Sequence, residues 1–532
     1  MRKKWIFIIL LIFLIPAVYP LLRSDFFHFS DEPHIASVYE MSRALQYGHF
    51  PPRWIPDVAY TYGYPLFNFY YPLPFFIGAV IFQLTGSLIS SIKLYFLLTV
   101  VVSSLAMYHL LKKHTTSLMA FIGALIYLYT PYRAVDLYVR GAIGELTAFA
   151  MVPLVCLFIY KLYEKQSLKN IGFLGLVIGL FILGHNLALM IFFPWFLVYG
   201  LYLLLKNTKN IKFVKAFGLS LLLGISLAFF WLFPALAEKH YLFSETPFYY
   251  KDHFPFLKQL IYSPFRYGAS QPGPYDDISL QIGVANLLLV LLAGRYFIIS
   301  SKRSKRILAL FCISAFMFSI FLMNIRSSFL WETFSLSTYF QFPWRVLMFT
   351  TFLTAFMIMF VKSRFMGLVL LIIALINTTT YFVPSEYFNP GDDYYMKRMF
   401  ANRTISGKSE ENSEYKNYSE DYLLLPVWVE EKPDRLPSAK FESDKAQIIF
   451  INEVSPYHFL AEINSEEESE VSFNNFYYPG WSVYVDNQKT ENYPLKPNGK
   501  IGFKVLPGKH ELQVVWEETS SRKFANCFSL IS

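Results

Sequence analysis

The stretch WIFIILLIFLIPAVYPLL (residues 5–22) contains no charged side chain and is long enough to cross a bilayer as a helix. It lacks a small-residue cleavage site and further apolar stretches follow it, so we interpret it as a retained span rather than a secretory signal. The composition of the 532-residue chain agrees, because 55% of it is hydrophobic, 19% aromatic and only 16% charged. These values are typical of a protein that crosses the membrane several times.

The net charge of +9 is distributed over the ends of apolar segments instead of forming one patch. Lys and Arg at such positions set the orientation of membrane spans, so the charge does not indicate a nucleic-acid partner. Cys156 and Cys312 fall inside apolar stretches and Cys527 lies near the end of the chain. This distribution argues against a disulfide framework and against a cysteine-based metal site.

Basic side chains also predict the topology. If residues 2–4 are cytoplasmic, the segment after the first span lies outside. The apolar stretch 72–86 is short and bounded by proline, so we expect it to lie flat at the outer interface, which leaves the later basic groups inside. The result is a polytopic α-helical membrane protein with about eleven to twelve transmembrane helices. The expected spans lie near 4–22, 91–111, 116–131, 144–160, 170–183, 187–205, 214–236, 279–295, 307–325, 342–361 and 365–383.

The polar part of the chain begins after the last of these spans. Alternating apolar and polar residues between turn signals predict a C-terminal β-sandwich-like domain outside the membrane. The expected organisation is a transmembrane domain (1–383), whose first outer loop (23–90) carries interfacial helices, then a polar linker (384–435), the β domain (436–520) and the stub of a further span (521–532).

The stretch FSDEPHIASVYEMSRALQYGHFPPRW (residues 29–54) follows the first span and carries an acidic pair. Pro33 suits the first turn of a helix, so Asp31 and Glu32 can serve simply as capping acids. Capping needs only one short side chain, whereas this pair is backed by His34 and further charged residues. We therefore favour a catalytic or metal-ligating role for Asp31 and Glu32.

The predicted topology brings polar residues of later loops to the same outer face. Each also has a plainer explanation, because charges at helix ends are normally solvated and long basic side chains often snorkel to the interface. The candidates on this face, beside the acidic pair and His34, are Arg53, Arg133, Asp136, Arg140, Glu145, His185, Arg266 and Arg345.

Two motifs carry a resemblance to known proteins. The stretch from residue 31 through YGYPLFNFYYPLP (62–74), together with YRAVDLYVRGAIGE (132–145), resembles the pyruvoyl-tetrahydropterin synthase-related family of membrane proteins, over roughly the first 380 residues. The acidic pair after the first helix and the long first outer loop are similar to those of GT-C glycosyltransferases. Pterin synthase chemistry itself needs clustered histidines around zinc, whereas the 10 histidines here are scattered.

The GT-C resemblance implies a membrane glycosyltransferase in the plasma membrane, multi-pass, with a sugar donor on polyprenyl phosphate. The acceptor would be an extracytoplasmic envelope glycan, lipid or protein, and a single displacement would invert the anomeric centre. On that resemblance Asp31 or Glu32 would be the base or the ligand of a divalent metal (Mg²⁺ or Mn²⁺), if one is used. Asp136 or Glu145 would match the second-loop acid, and Arg133 and Arg140 the lipid-phosphate contacts.

Two other function classes stay open. A transporter or lipid-carrier flippase would carry charged or helix-breaking residues at mid-span, whereas the expected spans are mostly apolar at their centres. A non-catalytic envelope-assembly scaffold would use the β domain for capture. No Trp-Trp-Asp signature of oligosaccharyltransferases occurs in the sequence, which argues against an oligosaccharide donor with a protein acceptor.

Overall fold

A computed structural model describes residues 3–206, 211–243, 250–405, 407–408, 415 and 425–532. The chain divides into two compact units. The helical unit comprises Met1–Glu32, Ile89–Ala228 and Phe248–Pro390, and the mixed unit comprises Pro33–Leu88, Phe229–Pro247 and Gly391–Ser532.

The α-helices are numbered in chain order over the described residues. They are α1 (Lys3–Leu22), α2 (Pro33–Gln46), α3 (Leu66–Phe69), α4 (Leu73–Thr85), α5 (Leu88–Leu111), α6 (Ser117–Leu128), α7 (Pro131–Ala134), α8 (Ile143–Glu164), α9 (Leu168–Gly184), α10 (Asn186–Lys206), α11 (Ile211–Leu227), α12 (Phe229–Ala237), α13 (Leu257–Ile261), α14 (Val284–Ile299), α15 (Arg303–Leu322), α16 (Ser328–Thr333), α17 (Ser337–Phe340), α18 (Leu347–Phe356), α19 (Arg364–Thr378), α20 (Asp392–Met399) and α21 (Ser520–Ile531).

Several helices are long and apolar enough to cross a membrane, which confirms the predicted class. Among the described residues six qualify, or up to eight if each of two helix pairs joined at a short break counts as one span. The six are Leu88–Leu111, Ile143–Glu164, Asn186–Lys206, Arg303–Leu322, Pro343–Phe360 and Arg364–Tyr381. Shorter apolar helices cover Ile8–Leu22, Leu73–Thr85, Leu168–Gly184 and Val284–Ile299, so a count of eleven to twelve spans stays a prediction.

Residues 132–143 lie between two expected spans, 116–131 and 144–160, and were expected to form an outer loop. This prediction is wrong, because most of the segment is helical and the segment is buried. Thr130 precedes Pro131 and adopts an extended backbone, as residues before proline do, so α6 ends and α7 begins with Pro131 in its first turn. The chain continues as a π-helix, Val135–Arg140, and the broken pair is bent by 53°. The charged residues of this segment indicated a solvated loop, but they pair with one another inside the protein.

The C-terminal β-sheet region predicted from the alternating pattern is confirmed. Its strands are β1 (Arg403–Thr404), β2 (Gly407–Lys408), β3 (Phe441–Glu442), β4 (Ala446–Ser455), β5 (His458–Ser465), β6 (Ser469–Phe476), β7 (Trp481–Val485), β8 (Gln488–Thr490), β9 (Tyr493–Leu495), β10 (Lys500–Val505) and β11 (Gly508–Trp516). β1 and β2 form a hairpin, and the other strands form two antiparallel sheets, ordered β3-β6-β10-β9 and β4-β5-β11-β7-β8. Phe473, Trp481 and Val514 are buried in this region.

The expected polar linker at 384–435 contains helix α20 and the β1–β2 hairpin. Its residues 406, 409–414 and 416–424 lie outside the described part of the chain. The segment expected as a stub, 521–532, is largely covered by the amphipathic helix α21, which buries Arg522 and Ala525 and exposes Phe524 and Leu530.

Candidate functional site

Arg140 is the centre of a buried charge cluster in the helical unit. Its Nη1 donates to Asp136 Oδ1 and to Glu145 Oε1, each at 2.7 Å. The hydroxyl of Tyr132 donates to the other oxygen of Glu145 at 2.6 Å. Asp136 and Glu145 are 0% and 1% exposed. Because charges removed from water require partners, mutual pairing is what allows these side chains to be buried.

The π-helical turn explains how the cluster is placed. Asp136 and Arg140 are four residues apart on one turn, close enough to pair, and π-turns of this kind occur frequently at functional sites. The turn ends at Gly141, whose φ is +64°. A Cβ at Gly141 would come within 2.1 Å of the Phe29 ring. Glycine is therefore required both for the left-handed backbone and for the close approach of the chain after α1.

The residues after α1 dock on the same turn through their backbone. The N–H groups of Ser30 and Asp31 donate to the carbonyl oxygens of Val139 and Arg140 at 3.0 and 2.9 Å. The Oδ2 of Asp31 lies 3.9 Å from Arg140 Nη2, and 33% of the Asp31 side chain is exposed. The structure thus brings Asp31 together with the predicted acids and arginine of the second segment.

Glu32 has a different environment from Asp31. It is 6% exposed, and its Oε1 lies 2.8 Å from Nδ1 of His28. His28 in turn stacks on Phe388, with ring centroids 3.9 Å apart and planes at 13°. The two neighbouring carboxylates therefore differ, because Asp31 is accessible while Glu32 is buried and held by a histidine that the sequence did not single out.

Arg345 and His185 also approach Glu145. Arg345 Nε lies 3.6 Å from Glu145 Oε1, its side chain is 17% exposed, and its guanidinium packs over the ring of Phe342. His185 lies between α9 and α10, where its Nδ1 accepts the N–H of Ala188 at 3.0 Å. It is buried within electrostatic reach of Glu145. Both residues were predicted as site residues.

Trp344 covers the central arginine, although the sequence pattern did not identify it. Its ring lies 5.0 Å from the Cζ of Arg140, a distance at which a cation is attracted to an aromatic face. Its indole N–H donates to Ser270 Oγ at 3.1 Å, and Ser270 Oγ donates to Asp276 Oδ1 at 3.0 Å. The segment between α13 and α14 therefore fixes the aromatic wall of the cluster.

Arg133, predicted as a phosphate contact, is enclosed by protein. It is 1% exposed, and its Nη2 donates to Ser103 Oγ at 3.0 Å. The guanidinium lies 5.0 Å from the ring of Tyr127 and 4.6 Å from that of Phe149. This packing stabilises a buried cation by aromatic faces, as found for desolvated arginines.

Three predicted residues do not belong to the cluster. Arg266 is on the surface of the helical unit, 52% exposed and 3.3 Å from Asp277. His34 and Arg53 belong to the mixed unit. Arg53 is 2% exposed and pairs with Glu518 at 2.8 Å, so it serves as a buried link within that unit.

The residues of the cluster do not fit a divalent metal. Mg²⁺ and Mn²⁺ favour several free oxygen ligands. Asp136 and Glu145 are paired with Arg140, with Arg345 also close to Glu145, and Glu32 is held by His28. Within the part of the chain that the structure describes, no three His, Cys, Asp or Glu side chains are arranged to hold a metal ion.

Comparisons with known proteins support the membrane class. An uncharacterized protein of Lactococcus lactis subsp. cremoris (strain MG1363) is 28% identical over 241 residues, which are 43% of this chain and 39% of that relative. A family model described as "6-pyruvoyl-tetrahydropterin synthase related domain; membrane protein" matches residues 67–385. That range includes the second segment with Arg140 but begins after Asp31 and Glu32, so the family resemblance of residues 29–54 stays a prediction. The chain belongs to the 6-pyruvoyl-tetrahydropterin synthase-related family of membrane proteins.

Proposed function

We propose that this protein is a membrane glycosyltransferase that moves a sugar from a polyprenyl-phosphate donor to an extracytoplasmic acceptor. The observation that carries the proposal is the position of Asp31. Its main chain is fixed on Arg140, yet among the described residues its carboxylate makes no ion pair shorter than 3.9 Å, and its side chain is one-third exposed. A carboxylate that is held in place but is not tied up in a short ion pair can accept a proton, so it is suited to general-base catalysis.

The proposed reaction is a single displacement. Asp31 accepts the proton of an acceptor hydroxyl as the hydroxyl oxygen bonds to the anomeric carbon. The bond between the anomeric carbon and the phosphate oxygen breaks at the same time, so polyprenyl phosphate leaves with the bonding electrons. The configuration at the anomeric carbon is inverted.

The leaving phosphate gains negative charge, which a cation has to stabilise. Arg345 is suited to this role, because it is 17% exposed and its nearest carboxylate, Glu145, lies 3.6 Å away. Arg140 pairs with both Asp136 and Glu145 through Nη1 and is nearly buried, so we assign it to positioning. Glu32 is buried with its Oε1 2.8 Å from His28 Nδ1, so we assign it to positioning rather than to the reaction.

The location follows the charge pattern of the sequence. We place the protein in the plasma membrane with about eleven spans, and the cluster and the β-sheet region on the extracytoplasmic side. The acceptor is then a cell-envelope glycan, lipid or protein, and the donor reaches the cluster from the bilayer.

A lipid-carrier transporter is a second candidate, and the broken helix at Thr130–Pro131 favours it. Interrupted helices with buried charges are typical of transporter binding sites, and Arg133, Asp136 and Arg140 follow this break. In that function the carrier would cross the bilayer with its sugar still attached.

One experiment separates the two functions. The full-length protein is reconstituted in vesicles with a panel of short-chain polyprenyl-phosphate hexoses, and free polyprenyl phosphate and leaflet distribution are both measured. A transferase releases polyprenyl phosphate when acceptor glycans are added. Movement of intact donor between leaflets without release would contradict the transferase proposal and support the transporter.

A further inference from the structure

The mixed unit contains a cavity of about 430 Å³. Its volume falls in the range of small-molecule sites, roughly 300–1,000 Å³. Polar and apolar side chains share its wall. The charged and amide side chains in this wall are those of Asp57, Asn402, Arg403, Lys408, Lys440 and Glu453.

Asp57 is shared by two arginines. Arg403 donates from Nε and Nη2 to its two carboxylate oxygens, each at 2.8 Å, and Arg43 Nη1 also pairs with it. The Oε1 atom of Glu40 lies 3.5 Å from Nη1 of Arg43, and Glu40 is fully buried. Burial and the neighbouring Asp57 raise the pKa of Glu40 well above its ordinary value, which favours its uncharged form. Asp57 is the carboxylate that pairs with both arginines.

Two lysines also line the cavity. Lys408 pairs with Glu453 at the rim, where 58% of the Lys408 side chain is exposed. The Nζ of Lys440 donates to the carbonyl oxygens of Thr61 and Asn474 at 2.9 and 3.1 Å. Burial lowers the pKa of Lys440 to about 7. When Lys440 is charged, the lining cations Arg403, Lys408 and Lys440 outnumber the lining carboxylates Asp57 and Glu453.

The cavity also offers hydrogen-bonding groups that a ligand could use, one on Asn402 and one on Arg403. The Oδ1 atom of Asn402 is buried and has no hydrogen-bond partner among the described residues. Within the described part of the chain, the side-chain hydrogen bonds of Arg403 go from Nε and Nη2 to Asp57, which leaves Nη1 for another acceptor. Buried polar atoms without partners are costly, so a ligand that satisfies them gains affinity. Phe459 and Pro437 supply apolar surface beside them.

We propose that this cavity binds an anionic saccharide, a sugar unit that carries a carboxylate or a phosphate beside free hydroxyls. The acidic group meets Arg403 and Lys408, a sugar hydroxyl donates to Asn402 Oδ1, and the C–H face of the ring packs on Phe459. A neutral sugar would leave the excess positive charge uncompensated, and a bare anion would leave Asn402 without a partner. The proposal does not rest on the transferase proposal, because its readout is binding.

The test uses the full-length protein in detergent and isothermal titration calorimetry at constant ionic strength. The probes are glucuronate, glucose 6-phosphate, glucose and inorganic phosphate. Binding of glucuronate or glucose 6-phosphate, at least about tenfold tighter than of glucose and of phosphate, supports the proposal. Equal binding of glucose would overturn the anionic part, equal binding of phosphate would overturn the saccharide part, and no binding of any probe would overturn both.

Variants locate the site. Asn402→Ala and Lys408→Ala are each expected to weaken glucuronate binding by about tenfold, since each removes one hydrogen bond or one charge contact. Lys504→Ala is the matched control, because Lys504 pairs with Glu468 on the exposed surface of the same unit. Unchanged binding in both cavity variants, at an unchanged melting temperature, would contradict the assignment.

Proton uptake gives a second readout. An anion in the cavity favours the charged form of Lys440, so glucuronate binding is expected to tighten as pH falls from 8 to 6. Lys440→Met should abolish this pH dependence. Binding that is independent of pH in the wild type would contradict the placement of the anion beside Lys440.

Discussion

The Nη2 atom of Arg140 lies 3.9 Å from the Oδ2 atom of Asp31, while the N–H of Asp31 donates to the Arg140 carbonyl at 2.9 Å. The main chain therefore fixes where Asp31 is, and the side chain is left without a short bond to the cation. Arg140 uses Nη1 for Asp136 and Glu145 instead. This division allows one accessible carboxylate beside an otherwise neutralised cluster.

Removal of the central cation should destabilise the protein. Arg140→Ala leaves Asp136 and Glu145 buried without their partner, which costs about 3–5 kcal/mol in comparable pairs. We expect a lower melting temperature in detergent, and partial recovery when Asp136→Asn and Glu145→Gln are added. Arg266→Ala is the control, because an exposed ion pair contributes about 0–1 kcal/mol. Equal melting temperatures for Arg140→Ala and Arg266→Ala would contradict the role of the cluster.

A substitution at Gly141 tests whether the chain after α1 packs closely against the π-helical turn. Gly141→Ala and Gly86→Ala both place alanine at positive φ, +64° and +69°, which costs roughly 1–2 kcal/mol. Only at Gly141 would the new Cβ meet another side chain, the ring of Phe29, since nothing lies within 4 Å at Gly86. The melting temperature is therefore expected to fall more for Gly141→Ala. A similar decrease of the melting temperature in both variants would show that Phe29 does not pack against this turn.

The bond between Trp344 and Ser270 should be measurable in a double-mutant cycle. Trp344→Phe keeps an aromatic ring near Arg140 but removes the N–H that Ser270 Oγ accepts at 3.1 Å. Ser270→Ala removes the acceptor. The coupling free energy of unfolding is expected at about 0.5–1.5 kcal/mol. Additive effects of the two substitutions would refute the link between this segment and the cluster.

The lowered pKa of Lys440 predicts that the stability of the protein depends on pH. This pKa is lowered by burial to about 7 from 10.5, so between these values the unfolded chain holds a proton that the folded protein lacks. Raising the pH from 7 to 10 therefore favours the folded state, by up to about 1.4 kcal/mol per pH unit. The melting temperature of the wild type relative to Lys440→Met should rise over this range. A constant difference would mean that Lys440 titrates normally.

The helices were predictable because apolar stretches of spanning length have few alternatives. Each of the eleven expected spans overlaps a helix of the structure, and the short stretch 72–86 contains α4. The alternation in 446–516 likewise predicted the strands that form the two sheets. Local composition and periodicity decide these elements, so the sequence carries them directly.

The arrangement of the site was only partly predictable. The acids and arginines were visible as polar residues near span ends, but residues 132–143 were expected in a solvated loop. Their burial depends on pairing between Arg140, Asp136 and Glu145, which local patterns do not report. The contacts of His28 with Phe388 and of Trp344 with Ser270 join segments far apart in the chain, so no local signal identified them.

The base assignment is tested most directly by the rate of polyprenyl phosphate release from Asp31→Asn in the reconstituted assay. We expect a fall of about 10²–10⁴-fold, the usual contribution of a general base, at an unchanged melting temperature. Asp25→Asn, which alters a surface carboxylate paired with Arg23 after the same helix, should release polyprenyl phosphate at the wild-type rate. Release by Asp31→Asn within a few-fold of the wild type would contradict the central role of Asp31.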